Sequence, residues 1–299
     1  MSDERATLDL VTPQAAQEIA VYSTRYSSFL DEIRSDLDEL RATGVMSRAR
    51  DLSLATGQHF ADNTYPAYFF GDLNASFVLV HLNPQYSDTP ARRMDGDEAP
   101  CSFEEHFERH RHFGAQRYGP ASSRTHRSRF DYKQISFLQA FDVIDFREDD
   151  KFTNLERVID HKLQLELIPY GSASFSSSGF TSQILSPHFA RIMGVISAVP
   201  RDYVIFCGEV FGKLLKPEWV VEDVDERKFR LTKNDGSMTK QASSFANLRL
   251  PCNGGTIHAG WAQSWARQGI PMRSYGQEVQ RRYRRYENRT TVPLNAPER

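Results

Sequence analysis

Three apolar runs in this chain each stop at a cluster of polar, aromatic and glycine residues, and those clusters hold most of the side chains able to do chemistry. After SFVLVHL (76–82) come Asn83, Pro84, Gln85, Tyr86, Ser87 and Asp88; after LQLELI (163–168) come Pro169, Tyr170, Gly171 and Ser172; after YVIFC (203–207) come Gly208 and Glu209. A fourth group, Thr256, Ile257, His258, Ala259 and Gly260, is expected beside a last strand. Ligands of open parallel sheets bind outside the carboxyl ends of the strands, so these are the residues expected to meet one. Glu166 stands inside an apolar run, where a carboxylate is costly without a partner, so a network or site role is expected of it. As a carboxylate it would favour a donor-rich edge such as the cytosine N4 amine. His81, within the first run, is expected to be a satisfied core histidine.

Two basic stretches add a different chemistry. Residues 105–133 hold seven Lys and Arg, among them Arg124, Arg127 and Arg129, against three acidic residues, with His106, His110, His112 and His126 interleaved. Residues 267–289 hold seven Arg against two Glu, with Tyr275, Tyr283 and Tyr286 among them. Arginine mixed with aromatics suits phosphates and exposed bases. His106 and His110 stand four apart, but the order His106-Phe107-Glu108-Arg109-His110 is not the His-Glu-x-x-His of a zinc helix, and no metal is expected.

The elements that must carry these residues follow from periodicity. Residues 12–41 predict a helix, with Thr12 as N-cap, Pro13 in the first turn and Gly44 past the end. Its apolar stripe is Ile19, Tyr22, Tyr26, Phe29, Ile33, Leu37 and Leu40. The three apolar runs read as buried parallel strands. Helix-period stretches at 135–141 and 189–199 lie between them, so an α/β doubly wound sheet is predicted. Two segments compete for a fourth strand, 229–232 and 246–250, and Asn234-Asp235-Gly236 between them could turn a hairpin instead.

Composition bounds the rest. The 299 residues are 39% hydrophobic, 12% aromatic and 25% charged, which excludes a disordered chain and a collagen-like one. A net charge of −2 confines any nucleic-acid surface to a local patch. Cys101, Cys207 and Cys252, odd in number and far apart, argue for a reducing compartment and against a four-thiolate cluster. The start, MSDERATLDL, is no secretory signal, and no stretch nears the roughly 20 apolar residues of a membrane span. A cytoplasmic protein without a membrane partner is expected.

VLVHLNPQYSD resembles the first motif of the uracil-DNA glycosylase superfamily, in which a buried strand ends in Asn-Pro or Asp-Pro; the Asn-Pro form is that of the mismatch-specific and single-strand-selective branches. IHAGWA (257–262) stands where the family carries its histidine motif, and YVIFCGEVFGKLL resembles its third strand, glycine turn and helix. The resemblance covers 69–271 and implies a three-layer α/β/α fold around a central, mostly parallel four-stranded sheet. It divides the chain into an N-terminal helical segment (1–65), a glycosylase-like domain (66–290) with a basic His-rich insertion at 89–134, and a flexible tail (291–299).

The function it implies is hydrolysis of the N-glycosidic bond of a damaged or modified base in DNA, leaving an abasic site, with no cofactor. Asn83 and Asp88 would position the water. His258, or backbone N–H groups beside Gly260, would stabilise the departing base. Pro84, Gln85, Tyr86, Glu166, Tyr170 and Ser172 would line the base site, with Tyr86 or Tyr170 stacking on the flipped base. Arg124, Arg127, Arg129 and Gly260 would hold the DNA. Gln85 replaces the Gly usual after Asn-Pro, and Ala259-Gly260 replace the Pro-Ser usual after the histidine. A hypermodified pyrimidine, as in phage DNA attacked in defence, is therefore expected over uracil. The competing expectations are a non-catalytic nucleic-acid-binding module and a nucleoside or nucleotide N-glycosidase.

Overall fold

Alternate residues of the apolar runs serve two different cores, which is why the runs are almost unbroken. The computed structural model describes residues 13–84, 102–121, 128–141, 151–214, 220–221, 227–252, 255–265 and 269–290. In chain order its strands are β1 (Phe69–Gly71), β2 (Phe77–His81), β3 (Leu163–Glu166), β4 (Tyr203–Cys207), β5 (Val220–Val221), β6 (Lys228–Phe229), β7 (Ser243–Cys252) and β8 (Gly255–Ala262). Its helices are α1 (Pro13–Thr43), α2 (Ser47–Thr56), α3 (Phe103–Arg111), α4 (Phe113–Tyr118), α5 (Arg129–Leu138), α6 (Lys151–His161), α7 (Ser182–Ser197), α8 (Glu209–Leu214) and α9 (Met272–Thr290). No helix among the described residues is long and apolar enough to cross a membrane.

The protein is α/β with a mixed sheet in the order β1-β3-β2-β4-β8-β7-β5, and β6 also pairs with β7. Its centre, β3-β2-β4-β8, is parallel, while β1 and β7 run antiparallel to their neighbours. Val78, Val80, Leu163, Leu165, Val204 and Phe206 point into one core with α1, α2, α3 and α7. Phe77, Leu79, Tyr203 and Ile205 point into the other, with residues of α5, α6 and α9.

The long first helix forms as its stripe predicts: all seven residues of the stripe are buried. It kinks at Tyr26 (φ −122°, ψ 26°), and Gly44 at φ +78° ends it with its N–H on the Leu40 carbonyl (2.8 Å), a conformation cheap only for glycine.

The fourth parallel strand differs from both sequence candidates. Residues 246–250 lie in β7 and Phe229 in β6, both antiparallel to their partners; the parallel strand is β8, which holds His258 and Gly260 within it and not after it. Cys252 pairs with Gly255, so β7 and β8 form a hairpin across Asn253-Gly254, the residue pair that two-residue hairpins favour. The N-terminal helices α1 and α2 pack on the sheet and share one core with it.

Candidate active site at the carboxyl ends of the parallel strands

β2 and β3 remain paired beyond their last ladder residues, because Leu167 N–H and Ile168 N–H donate to the carbonyls of His81 (2.9 Å) and Leu82 (2.8 Å). That extension carries Asn83 out to the loop of 169–176. There its Nδ2 donates to Ser172 Oγ (2.7 Å) and to the Pro84 carbonyl (3.0 Å), while Ser172 N–H donates to the same carbonyl (3.2 Å). Ser172 Oγ donates to the Ser174 carbonyl (3.0 Å) and accepts from Gln58 Nε2 (3.3 Å) as well as from Asn83. A hydroxyl has one donor and two lone pairs, so Ser172 is fully used within the protein and serves to fix Asn83. Both hydrogens of the Asn83 amide are thus occupied on one side. Oδ1, an acceptor, takes no hydrogen bond among the described residues.

Gln58 completes this arrangement, donating also to the Ser174 carbonyl (2.9 Å) and accepting from Ser176 N–H (2.8 Å). It follows α2 in a segment with no motif, and nothing in the sequence marked it. Pro84 is partly exposed beside Asn83. Gln85, Tyr86, Asp88, Arg124 and Arg127 lie outside the described residues. Arg129, exposed at the first turn of α5, directly precedes Phe130, whose ring packs on His81 (5.0 Å), so it stands on the rim of this end of the sheet.

One step below Asn83 a polar row crosses the sheet. His81 and Glu166 are register partners on β2 and β3, about 7 Å back along the strands from Asn83, and Cys207 ends β4 beside them. All three are buried. Gln164 Nε2 donates to Glu166 Oε1 (2.7 Å), and Lys162 Nζ donates to Gln164 Oε1 (3.2 Å). Burial pushes the Glu166 carboxyl up to about 8 and holds His81 down at about 3. Both shifts favour the neutral form near pH 7, in which Glu166 offers an O–H. The His81 ring lies between Phe130 and Trp265 (5.0 and 5.3 Å between centroids), and Lys133 Nζ on the Trp265 carbonyl ties α5 to the end of β8.

Three expected site residues belong elsewhere. Tyr170 lies in the core on the α1 side of the sheet and donates to Asp36 Oδ2 (2.8 Å), so it packs α1 onto the sheet. His258 sits inside β8 level with Tyr203, since Ile205 pairs with Gly260. Asn83 lies three residues past Val80, the partner of Phe206, and six residues of strand separate the two levels, roughly 20 Å. His258 Nε2–H donates to Asn247 Oδ1 (3.0 Å), and its ring stacks against Tyr283 and Tyr286 (3.9 and 4.8 Å). It is a packing residue at the amino edge of the sheet. The Arg-rich part of α9 lies there too: Tyr275 near the start of α9 bonds the Ser244 carbonyl and Gln263 N–H, whereas Tyr283 bonds the His258 carbonyl.

Gly260 is central in the sheet, paired to β4 and β7, and a Cβ there would stand 2.4 Å from the Phe245 ring. It is a packing glycine and not a DNA contact. Gly260→Ala is expected to cost about 1–3 kcal/mol, lowering the thermal midpoint by several degrees while leaving DNA affinity, measured by fluorescence anisotropy, unchanged.

Four histidines, His81 and His106 buried and His188 and His258 half-buried, set an acid limit. Burial holds His81 and His188 at about 3 and His258 at about 4, and His106 well below 6.5. Between 6.5 and those values the unfolded chain takes up protons that the folded chain refuses, so stability is full above 6.5 and falls as pH drops through that window. Each group adds up to about 1.4 kcal/mol per pH unit. Urea midpoints measured from pH 7 to 4 are expected to fall, and His258→Gln, which keeps a donor for Asn247, should flatten that fall; equal slopes would contradict the assignment.

His106 and His110 pack into an aromatic cluster with Phe69, Phe70 and Tyr65. The one group among the described residues whose ligand atoms converge is Glu18, Glu108 and His112, where Arg111 Nε also lies 3.7 Å from Glu18, so an internal cation already faces it. Comparison with protein-family models, curated proteins and solved structures finds no match.

Proposed function

We propose that the protein is a DNA glycosylase that hydrolyses the N-glycosidic bond of a modified pyrimidine, in a three-layer fold like that of the uracil-DNA glycosylases. The observation that carries this reading is Asn83, held at the carboxyl end of a central parallel strand with both amide hydrogens occupied and Oδ1 without a hydrogen bond among the described residues. The fold reading is supported by four parallel strands with β2 and β4 central among them and by helices in the cores on both faces.

The chemistry asks little of a base. The sugar becomes oxocarbenium-like as the bond breaks, so water needs orientation more than deprotonation, and an amide oxygen accepting one of its hydrogens supplies that. His258 is too distant to meet the departing base. The base site instead falls to Glu166, His81 and Trp265, with Arg129 on the rim for phosphate.

Alkali-induced strand cleavage tests the reading on duplexes that carry uracil, hydroxymethylcytosine or glucosylated hydroxymethylcytosine. Alkali-labile breaks at the modified position alone are expected. Binding without breaks on every duplex would favour a non-catalytic module.

A further inference from the structure

Leu163 and Leu165 of β3 are fully buried in one core, and the alternate positions 162, 164 and 166 carry Lys, Gln and Glu into the opposite one. Their hydrogen bonds run in one direction: the Lys162 ammonium donates to Gln164, and Gln164 donates to Glu166 Oε1. Oε2 is left with no partner among the described residues, as are His81 Nε2 beside it and Trp265 Nε1 on the ring that packs on His81. Native proteins leave few buried polar atoms unpaired. Three such atoms stand on neighbouring residues: His81 is level with Glu166 across the β2–β3 pairing and is packed by the rings of Phe130 and Trp265, so their unmet hydrogen-bonding capacity points to a polar heteroaromatic ligand.

The groups around Glu166 decide its proton. Lys162 on its own strand is the cation that pulls it down; His81 on β2 is neutral, and burial pushes the Cys207 thiol on β4 up. Asp131 on α5 and Asp160 on α6 face Lys162 and share its charge. Burial of a carboxyl with a single amide donor outweighs the lysine, leaving the proton on Oε2 near neutrality.

We propose that Glu166 is the general acid of this site, its Oε2–H delivering a proton to N3 or O2 of the departing base, and that the substrates are aminopyrimidines of the cytosine type. The proposal rests on the glycosylase reading. Uracil leaves as a stabilised anion without help, whereas a cytosine-type base leaves poorly until protonated. As the C1′–N1 bond breaks, its electron pair goes to the base, whose N3 or O2 takes the Glu166 proton. Water oriented by Asn83 bonds to C1′ and gives up a proton through solvent, which restores Glu166.

Single-turnover release from duplexes with one hydroxymethylcytosine or one uracil, measured across pH for wild type and Glu166→Gln, tests this. The wild-type rate on the cytosine-type base is expected to be level at low pH and to fall as pH passes about 8. Glu166→Gln keeps a hydrogen-bond donor but has no proton to transfer, so it should lose on the order of 100- to 10,000-fold on that base and retain binding. A wild-type rate level through pH 8, equal release by the variant, or release of uracil alone would overturn the general acid and leave the glycosylase standing. No release from either duplex would overturn both. Where that variant folds poorly, Glu166→Asp takes its place and should keep the fall near pH 8 at a reduced rate, because burial also brings Lys162 down to about 8 and the wild-type profile does not separate the two.

Discussion

Asn83→Ala is expected to cut base release by on the order of 100- to 1,000-fold while DNA affinity changes by less than about 3-fold. The asymmetry follows from what the side chain touches. Nδ2 is spent on Ser172 and the Pro84 carbonyl, which sets the plane of the amide, and Oδ1 is the atom left to orient water. Removing it takes away the acceptor that defines the direction of attack but no charged group, so the encounter with phosphate is untouched. The loop should survive, because Ser172 N–H still donates to the Pro84 carbonyl and Gln58 still holds Ser174. Single-turnover kinetics beside an anisotropy titration separates the two effects; a parallel loss of both would place Asn83 in DNA binding instead.

Asp36→Ala is expected to be the most damaging substitution for stability. The carboxyl is 1% exposed; Oδ2 accepts from the hydroxyls of Tyr68 (2.6 Å) and Tyr170 (2.8 Å), and Oδ1 from Arg48 (2.8 Å). Nearby, Arg191 joins Glu32 of α1 (2.9 Å) to the Leu167 carbonyl (2.7 Å) and lies over the Tyr68 ring. Alanine would take the carboxylate from the buried Tyr170 hydroxyl and leave that of Tyr68 only Glu32 Oε1 (3.3 Å), while Arg48, exposed, is free to turn to water. Breaking such a group costs about 3–5 kcal/mol, or roughly 10 °C in thermal midpoint for a chain of this size. Because Tyr170 is two residues from Ser172, base release should also fall before the protein unfolds. A midpoint shifted by less than about 2 °C would contradict the role given to Asp36.

What could be read in the sequence was what depends on repeating patterns. The α1 stripe and the strands at β2, β3 and β4 declare themselves because each buried face demands apolar residues at fixed spacing. β8 does not, because its neighbours dictate small residues: Phe245 leaves no room for a Cβ at 260, and what results, GTIHAGWA, looks like a loop. The Asn253-Gly254 pair between two extended stretches was its available signal. The same error moved His258 to the wrong end of the sheet, since a histidine in a presumed loop is read as reactive, whereas one enclosed by Tyr283 and Tyr286 is packing.

The site divides in the same way. Asn83 and Ser172 were findable because strand ends are where open parallel sheets gather ligand contacts, and the structure brings the two together at 2.7 Å. Tyr170 was misassigned because its use depends on Asp36, 134 residues away in the chain, and Gln58 was missed for a similar reason. Glu166 was noticed from its apolar surroundings, but how far burial pushes its carboxyl up depends on the whole packing around it, which no local pattern encodes.

The central claim is that this fold breaks an N-glycosidic bond at Asn83, and the most direct measurement is mass spectrometry of the products from a duplex with one hydroxymethylcytosine. The expected result is free base and an abasic strand in equal amounts with wild type, and neither within the same time with Asn83→Ala. A bound but chemically intact duplex, or a free base released equally by the variant, would contradict the account.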